Sequence, residues 1–243
     1  MSEIFDRELY IDKPLIYENI LDNFLDVYSK LVIFEIGACE CEDTIKLSRL
    51  FPLSHIISTE PILENRLCGI KYLKEYDIKN VWLTYYAFSD FVGEAEMFIS
   101  SGEPTDIIVS DWDCGNKSSS LLEPVKHLEI WPWIEFKHKQ KVPVTTLDHF
   151  VDMINKMPHS EVPKIDKINF IHMDVQGAEL KVLSGAQKML PNIDFIFMEV
   201  SDVELYKNQP LKQNVKDFME FHNFMLVYDS VNEVSGDQLW KRK

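Results

Sequence analysis

The chain has 243 residues, enough for one large domain or two small ones, and its 46% hydrophobic content can build a full core without disulfides. Lysine and arginine total 25 against 40 aspartates and glutamates, a formal net charge of −15. That balance argues against a nucleic-acid backbone or an anionic membrane as main partner, because both need a positive footprint, and leaves room for a small substrate.

The N-terminal MSEIFDRELYIDK mixes charges and has no apolar run, so it does not read as a signal peptide. No stretch approaches the ~18 apolar residues of a membrane span. Ile16, Ile20, Phe24, Val27, Tyr28 and Leu31 recur at helical spacing. They predict an amphipathic helix over residues 15 to 31 that packs on the domain or covers a ligand.

KLVIFEIGACECEDTIKLSRL, residues 30 to 50, reads as a buried strand, a tight turn at Gly37 and a helix capped by Glu42 or Asp43. Such a junction is where open α/β sheets bind nucleotide-like ligands. The cysteines, Cys39, Cys41, Cys68 and Cys114, form no paired CxxC framework. No zinc module is expected, and reduced thiols fit a cytoplasmic protein.

HIISTEP, residues 55 to 61, predicts a second strand ending at Glu60. An acid about 20 residues past the glycine turn can accept both hydroxyls of a ribose, or it can cap a helix. A helix over Leu63 to Tyr76 and a third strand over Asn80 to Phe88 follow. Phe88 is placed to stack on an adenine and Asp90 to accept from its amine, or the two are a core aromatic and a turn residue. Gly93 turns into an extra strand at Ala95 to Ile99.

Residues 100 to 140 are too long for a simple connection, and such loops usually carry function. They hold Trp112, Trp131, Trp133 and the polar run Asn116 to Ser120, which includes Ser119. Indoles beside polar side chains suit a sugar, whose C–H faces pack on rings while its hydroxyls need hydrogen bonds. The same tryptophans can simply pin the loop to the core.

Val142 and Val144 predict a short strand leading into a helix capped near Thr146 or Asp148, and MPHSEVPKIDK reads as a polar linker. INFIHMDVQGAELKVLSGAQKML then predicts a buried strand with Asp174 near its end, a turn at Gly177 and a helix. DFIFMEV is another buried strand with Glu199 near its end. A helix over Gln213 to Asn223 and an antiparallel pair, Phe224 to Asp229 with Leu239 to Trp240, close the chain.

The alternation predicts an α/β fold: a seven-stranded, mostly parallel, Rossmann-like sheet with a C-terminal antiparallel pair and helices on both faces, as in class I methyltransferases. One domain is expected over residues 1–243, with 1–30 as a helical cover and 100–140 as a substrate-side insertion. The glycine pattern selects the ligand. Gly37 is followed by Ala38, Cys39, Glu40, Cys41, Glu42 and Asp43, so GxGxxG is absent and carboxylates crowd the place of a pyrophosphate. No GK[ST] occurs either. S-adenosyl-L-methionine carries no phosphate and has a positive sulfonium, which suits an acidic rim.

In these pieces the chain resembles the FkbM-like S-adenosylmethionine-dependent methyltransferases. IFEIGACECEDTIKLSRLFP, IISTEP, YAFSDFVGEAEMFIS, GNKSSSL, VPVTTLD, INFIHMDVQGAELKVLSGAQKML and IDFIFMEV run in family order over about residues 31 to 200, and MDVQGAELKVLSGA is the most specific of them. The resemblance implies that Glu35, Gly37 and Ala38 hold the methionine part of the cofactor. Glu60 holds the ribose, Ser89 and Asp90 the adenine end, and Asp174 lies beside the transferring methyl. It implies O-methylation of a hydroxyl on a sugar, glycan or sugar-bearing small molecule. The family usually has Asp in place of Glu35, glycine in place of Cys41 and lysine in place of His172.

Methyl transfer needs alignment of the reacting atoms and a base for the hydroxyl proton. Asp174 is the first candidate base, with Glu199 and His172 as alternatives. Asp174 and Glu199 could instead begin a divalent-metal site, which two ligands without a clear third do not favour. Two other classes compete: a non-catalytic Rossmann-like binding or scaffold module, motivated by the altered first motif, and a nucleic-acid methyltransferase, opposed by the net charge.

Overall fold

The computed structural model describes residues 4–104, 108–109, 112–157 and 163–243. Parts of the 100–140 insertion and of the polar linker at 157–167 thus lie outside the described residues. The chain begins with β1 (Ile4–Phe5) and α1 (Arg7–Ile11), whose N-cap Asp6 accepts from the Leu9 amide at 3.0 Å. The helix expected over residues 15 to 31 does not form. Only α2 (Glu18–Leu21) is helical, and Ile16, Phe24 and Tyr28 are exposed. The reason is local competition: the Asp26 side chain accepts from the Tyr28 amide at 3.1 Å and the Ser29 hydroxyl donates to the Asp26 carbonyl at 2.7 Å. Leu15, Tyr17, Leu21 and Leu31 reach the core from this irregular path.

The central unit follows as expected: β2 (Val32–Ile36), α3 (Glu42–Leu50), β3 (His55–Thr59), α4 (Leu63–Glu75) and β4 (Val81–Thr84). The third strand ends early. Tyr85 and Tyr86, with rings stacked at 4.5 Å, step the chain out of the main sheet, and β5 (Ala87–Phe88) joins a second one. There β6 (Gly93–Ser101) pairs antiparallel with a later, eleven-residue strand; β7 (Ile108–Val109) pairs with β1, and α5 (His127–Ile130) lies in the insertion. That later strand, β8 (Glu135–Thr145), extends well before Val142, so the end of the expected loop is sheet. Its outer half is exposed and lysine-rich, which hides a strand pattern. It is held by ladder bonds and by charge pairs such as Lys139–Glu96 at 3.7 Å.

The remainder is α6 (Leu147–Lys156), β9 (Ile168–Met173), α7 (Glu179–Ser184), β10 (Ile193–Ser201), α8 (Lys212–Phe221), β11 (Phe224–Asp229) and β12 (Ser235–Arg242). The seven-stranded sheet has the order β11-β12-β10-β9-β2-β3-β4, with only β12 antiparallel to its neighbours. Along β2, Ile33 joins the apolar cluster with Tyr17, Leu47 and Phe170, while Phe34 joins the one with Phe150, Ile171 and Val182. Burial on both faces is what a continuous apolar strand requires. The chain runs outward from β2 through β3 and β4 on one side, and later from β9 through β10 on the other. The order therefore switches between β2 and β9, and a crevice opens at their carboxyl ends. No helix among the described residues is long and apolar enough to cross a membrane.

Candidate active site

Gly37 closes that crevice from below. Its φ is +94, and a β-carbon there would lie 1.8 Å from the Asp174 carbonyl oxygen. The turns after β2 and β9 therefore touch backbone to backbone. The Gly37 and Ala38 amides donate to the Thr59 carbonyl at 3.1 and 2.9 Å, and the Asp174 amide donates to Ile36 at 2.9 Å. Cys41 precedes α3 with φ 70, a left-handed conformation that glycine adopts more easily. Its buried thiol fits because Gly69 of α4 faces it: a β-carbon at Gly69 would lie 2.5 Å from the Cys41 Sγ.

Above this turn is a cavity of about 220 Å³ lined by Gly37, Glu60, Phe88, Ser119, His172 and Asp174, among others. Glu35 and Ala38 also line it, and the Thr44 hydroxyl donates to the buried Glu35 carboxylate. Glu60 accepts the Cys39 amide at 2.9 Å on one oxygen and the Ile62 amide at 2.8 Å on the other. Phe88 meets the cavity from the core, its ring edge-on to Phe150 at 5.2 Å. Ser89 and Asp90 do not line it. The turn into the second sheet carries Ser89 under Gly185, where its amide donates to Thr145 at 2.9 Å, and Asp90 is exposed.

Burial pushes the Glu35 and Glu60 carboxyls up to about 8 and that of Glu179, which accepts the Val175 and Gly177 amides, up to about 7. A raised carboxylate holds a proton in the folded state that the unfolded chain releases near its ordinary value of 4.5. Its stabilising contribution is complete below that value and is lost as pH rises through the folded pKa. The midpoint of thermal unfolding is expected to fall by about 5 °C or more between pH 5 and pH 8, and the Glu60→Gln variant to show a flatter profile. Parallel profiles in calorimetry would assign the slope to other groups.

A second cavity, of about 320 Å³, shares Trp112, Lys117, Asp174 and Gln176 with the first and adds Trp131, Trp133 and Glu199. Asp174 thus stands where the two meet. Its Oδ1 accepts from Gln176 Nε2 at 2.7 Å, and the same nitrogen donates to Glu199 Oε2 at 3.0 Å. Burial raises both carboxyls above the usual range. His172 is buried, its Nδ1 shares a 2.8 Å hydrogen bond with the Tyr17 hydroxyl, and burial lowers its pKa, which keeps the ring neutral at pH 7. Among the described residues, no group of three or more histidines, cysteines, aspartates or glutamates is placed to hold a metal ion.

The sequence matches the methyltransferase FkbM domain over residues 35–226. The chain belongs to the FkbM methyltransferase family. A curated relative, the 2-O-methyltransferase NoeI of Sinorhizobium fredii (strain NBRC 101917 / NGR234), is 28% identical over 208 residues, covering 86% of this chain and 78% of the relative. Among solved structures, the methyltransferase FkbM from Methylobacillus flagellatus KT superposes with a TM-score of 0.52 at 13% identity. The match covers 97% of this chain and 50% of that one, so the present chain spans half its length. A precorrin-6y C5,15-methyltransferase from Geobacter metallireducens GS-15 reaches 0.50 at 11% identity over 96% and 92% of the two chains. At such identities the structural likeness speaks for the fold alone.

Several residues of this FkbM methyltransferase site escape a reading by motif. Tyr10 of α1 lines the first cavity, donates to Asp43 at 2.9 Å and lies against Trp112 at 4.9 Å between ring centres. Arg7 bonds Glu40 and Glu42 and so fastens α1 over the Gly37 turn. Within residues 1–30, it is residues 7–11 that reach the first cavity. Lys117 is the basic side chain among the shared lining residues, paired to Glu42 at 3.3 Å and set over the Trp112 ring at 4.8 Å. Against the effect of burial, the Cys39 thiol and the Glu42 and Glu40 carboxyls raise its pKa. The sequence signal for Lys117 was its position in GNKSSSL; for Tyr10 and Arg7 there was none.

Proposed function

We propose that this S-adenosylmethionine-dependent methyltransferase acts on oxygen, at a hydroxyl of a sugar or glycan. The observation that carries the reading is the position of Asp174 at the meeting of two cavities, one floored by Gly37 with Glu60 at its wall, the other walled by Trp131 and Trp133. The first fits the methyl donor. A glycine without β-carbon leaves the backbone open to it, Glu60 keeps a second lone pair on each oxygen for ribose hydroxyls, and Phe88 offers a ring to the adenine. Glu35 and Ala38 lie at the methionine end, and the acidic lining suits a sulfonium. Bound S-adenosylmethionine supplies an electrophilic methyl group.

The chain's own residues then do the rest. Trp131 and Trp133 orient the acceptor, Ser119 lines the donor cavity instead, and Asp174 accepts the proton of the hydroxyl that reacts. A carboxyl raised by burial is a better-matched base near neutrality than an ordinary aspartate. His172, held by Tyr17, lines the donor cavity as a neutral ring. The name of the curated relative, a 2-O-methyltransferase, agrees with an oxygen acceptor.

The test is a cofactor-dependent screen of free sugars, methyl glycosides and glycans read by mass spectrometry. A product heavier by one CH2 unit is expected, with the Trp131→Ala variant raising the acceptor KM roughly tenfold through lost ring contact. Methylation of RNA with steep salt dependence and no carbohydrate product would overturn the reading.

A further inference from the structure

Gln176 lies two residues after Asp174, in the turn between β9 and α7, with a left-handed backbone of φ 53. Such strain in a residue with a β-carbon persists only where the surroundings over-determine it. Its carbonyl accepts the Ser120 hydroxyl at 2.7 Å, and its Oε1 accepts the hydroxyl of the buried Tyr206 at 2.9 Å. The two carboxyl groups reached by its Nε2 set the sense of the amide, because the reverse orientation would turn its oxygen toward them, while the single phenolic proton of Tyr206 is shared with the Ser118 carbonyl at 2.8 Å. The NH2 group therefore faces Asp174 and Glu199 and holds one oxygen of each. With its two hydrogens roughly 120° apart, the bound oxygens sit about 5 Å from one another.

The two acids are not equivalent. Asp174 lines both cavities, whereas Glu199 lines only the tryptophan-walled one of the two. Glu199 therefore stands one step further from the methyl donor, beside the acceptor. A second group there points independently to a ligand. His127 lines the same cavity, is 2% exposed, and its Nδ1 has no well-formed hydrogen bond among the described residues beyond a contact with its own backbone. Its ring is wedged between Trp131 at 4.8 Å and Tyr206 at 5.4 Å. Leaving a buried polar atom unpaired is costly, and a bound polar group would remove that cost.

We propose that Asp174 and Glu199, clamped by Gln176, bind a vicinal diol of the acceptor, Asp174 taking the hydroxyl that reacts and Glu199 its neighbour, with His127 bonding a further polar group of the same molecule. The inference rests on the carbohydrate reading above and narrows it to acceptors with adjacent free hydroxyls. Carboxyl oxygens accept O–H···O bonds of about 2.7 Å, which lets two neighbouring ring hydroxyls reach the two acids together. Gln176 is a positioning residue, acting through the two carboxyls that its amide holds. A site built to bond a hydroxyl rejects the analogue lacking it, because the buried acid is then left unpaired.

The experiment compares methyl pyranosides bearing adjacent hydroxyls with their monodeoxy counterparts, using wild-type protein and S-adenosylmethionine. Removing the neighbouring hydroxyl is expected to lower kcat/KM about 100-fold. Glu199→Gln should erase most of that discrimination by raising KM for the diol. Gln176→Leu should weaken discrimination and move the acid limb of the pH profile. His127→Phe should raise the acceptor KM alone. Deoxy acceptors methylated within about threefold of the diols would overturn the clamp and leave the O-methyltransferase reading standing. No product from any carbohydrate would overturn both. The wild-type comparison decides the matter even if a variant fails to fold.

Discussion

Asp174→Asn is expected to slow turnover about 1,000-fold while S-adenosylmethionine binds as tightly as to the wild type. The substitution keeps the size of the side chain and leaves an amide oxygen to accept from Gln176 Nε2, now 2.7 Å from the carboxylate. What it removes is the capacity to take a proton from a hydroxyl. Asp174 contributes its backbone to the Gly37 turn, and that contact survives the change. Because burial raises the Asp174 pKa, wild-type kcat/KM should climb with pH through a limb above the ordinary aspartate value, and the variant should lack that limb. Turnover by mass spectrometry and affinity by calorimetry separate the two effects. Wild-type rates in the variant would remove Asp174 from the base role.

Gly37→Ala is expected to do the opposite, lowering cofactor affinity and turnover together and costing roughly 3 kcal/mol of stability, about 6–12 °C in melting temperature. The β-carbon would lie 1.8 Å from the Asp174 carbonyl oxygen, and the backbone at φ +94 is one that alanine resists. Relief requires the turns after β2 and β9 to part, which shifts Asp174 away from the cofactor cavity and opens its floor. Thermal melts with and without S-adenosylmethionine measure both losses. A variant with the wild-type melting temperature and affinity would show that these turns have slack the geometry denies.

The parts of the site that local sequence dictates were legible. A short apolar run, a glycine and a polar helix start specify the β2–α3 turn, and the same grammar specifies β9 with Asp174. Glu60 was legible because its distance from Gly37 follows from the length of one helix and one strand. The antiparallel end of the sheet was legible from two short apolar runs around a turn. What local rules do not encode is where the chain goes between such units. Phe88, Ser89 and Asp90 are consecutive, yet only Phe88 faces the cavity, because Tyr85 and Tyr86 redirect the chain into the second sheet. Residues 15 to 31 carry helical spacing, but Asp26 and Ser29 divert the backbone. Tyr10, Arg7 and Lys117 join the site through partners distant in sequence, Asp43, Glu40 and Glu42, and no spacing rule connects them.

The facing of Cys41 and Gly69 bears on how this site could have diverged. A β-carbon at position 69 would lie 2.5 Å from the thiol at position 41 and force that thiol to shift, so the two positions are coupled. Starting from glycine at both, cysteine at 41 is an open step. Starting from a chain with alanine at 69, the same step meets a closed door until α4 first accepts a glycine, at a helix cost of about 1 kcal/mol. The order of the two substitutions is therefore not free. Substituting alanine for Gly69 is expected to be more harmful in this protein than in a relative with glycine at 41.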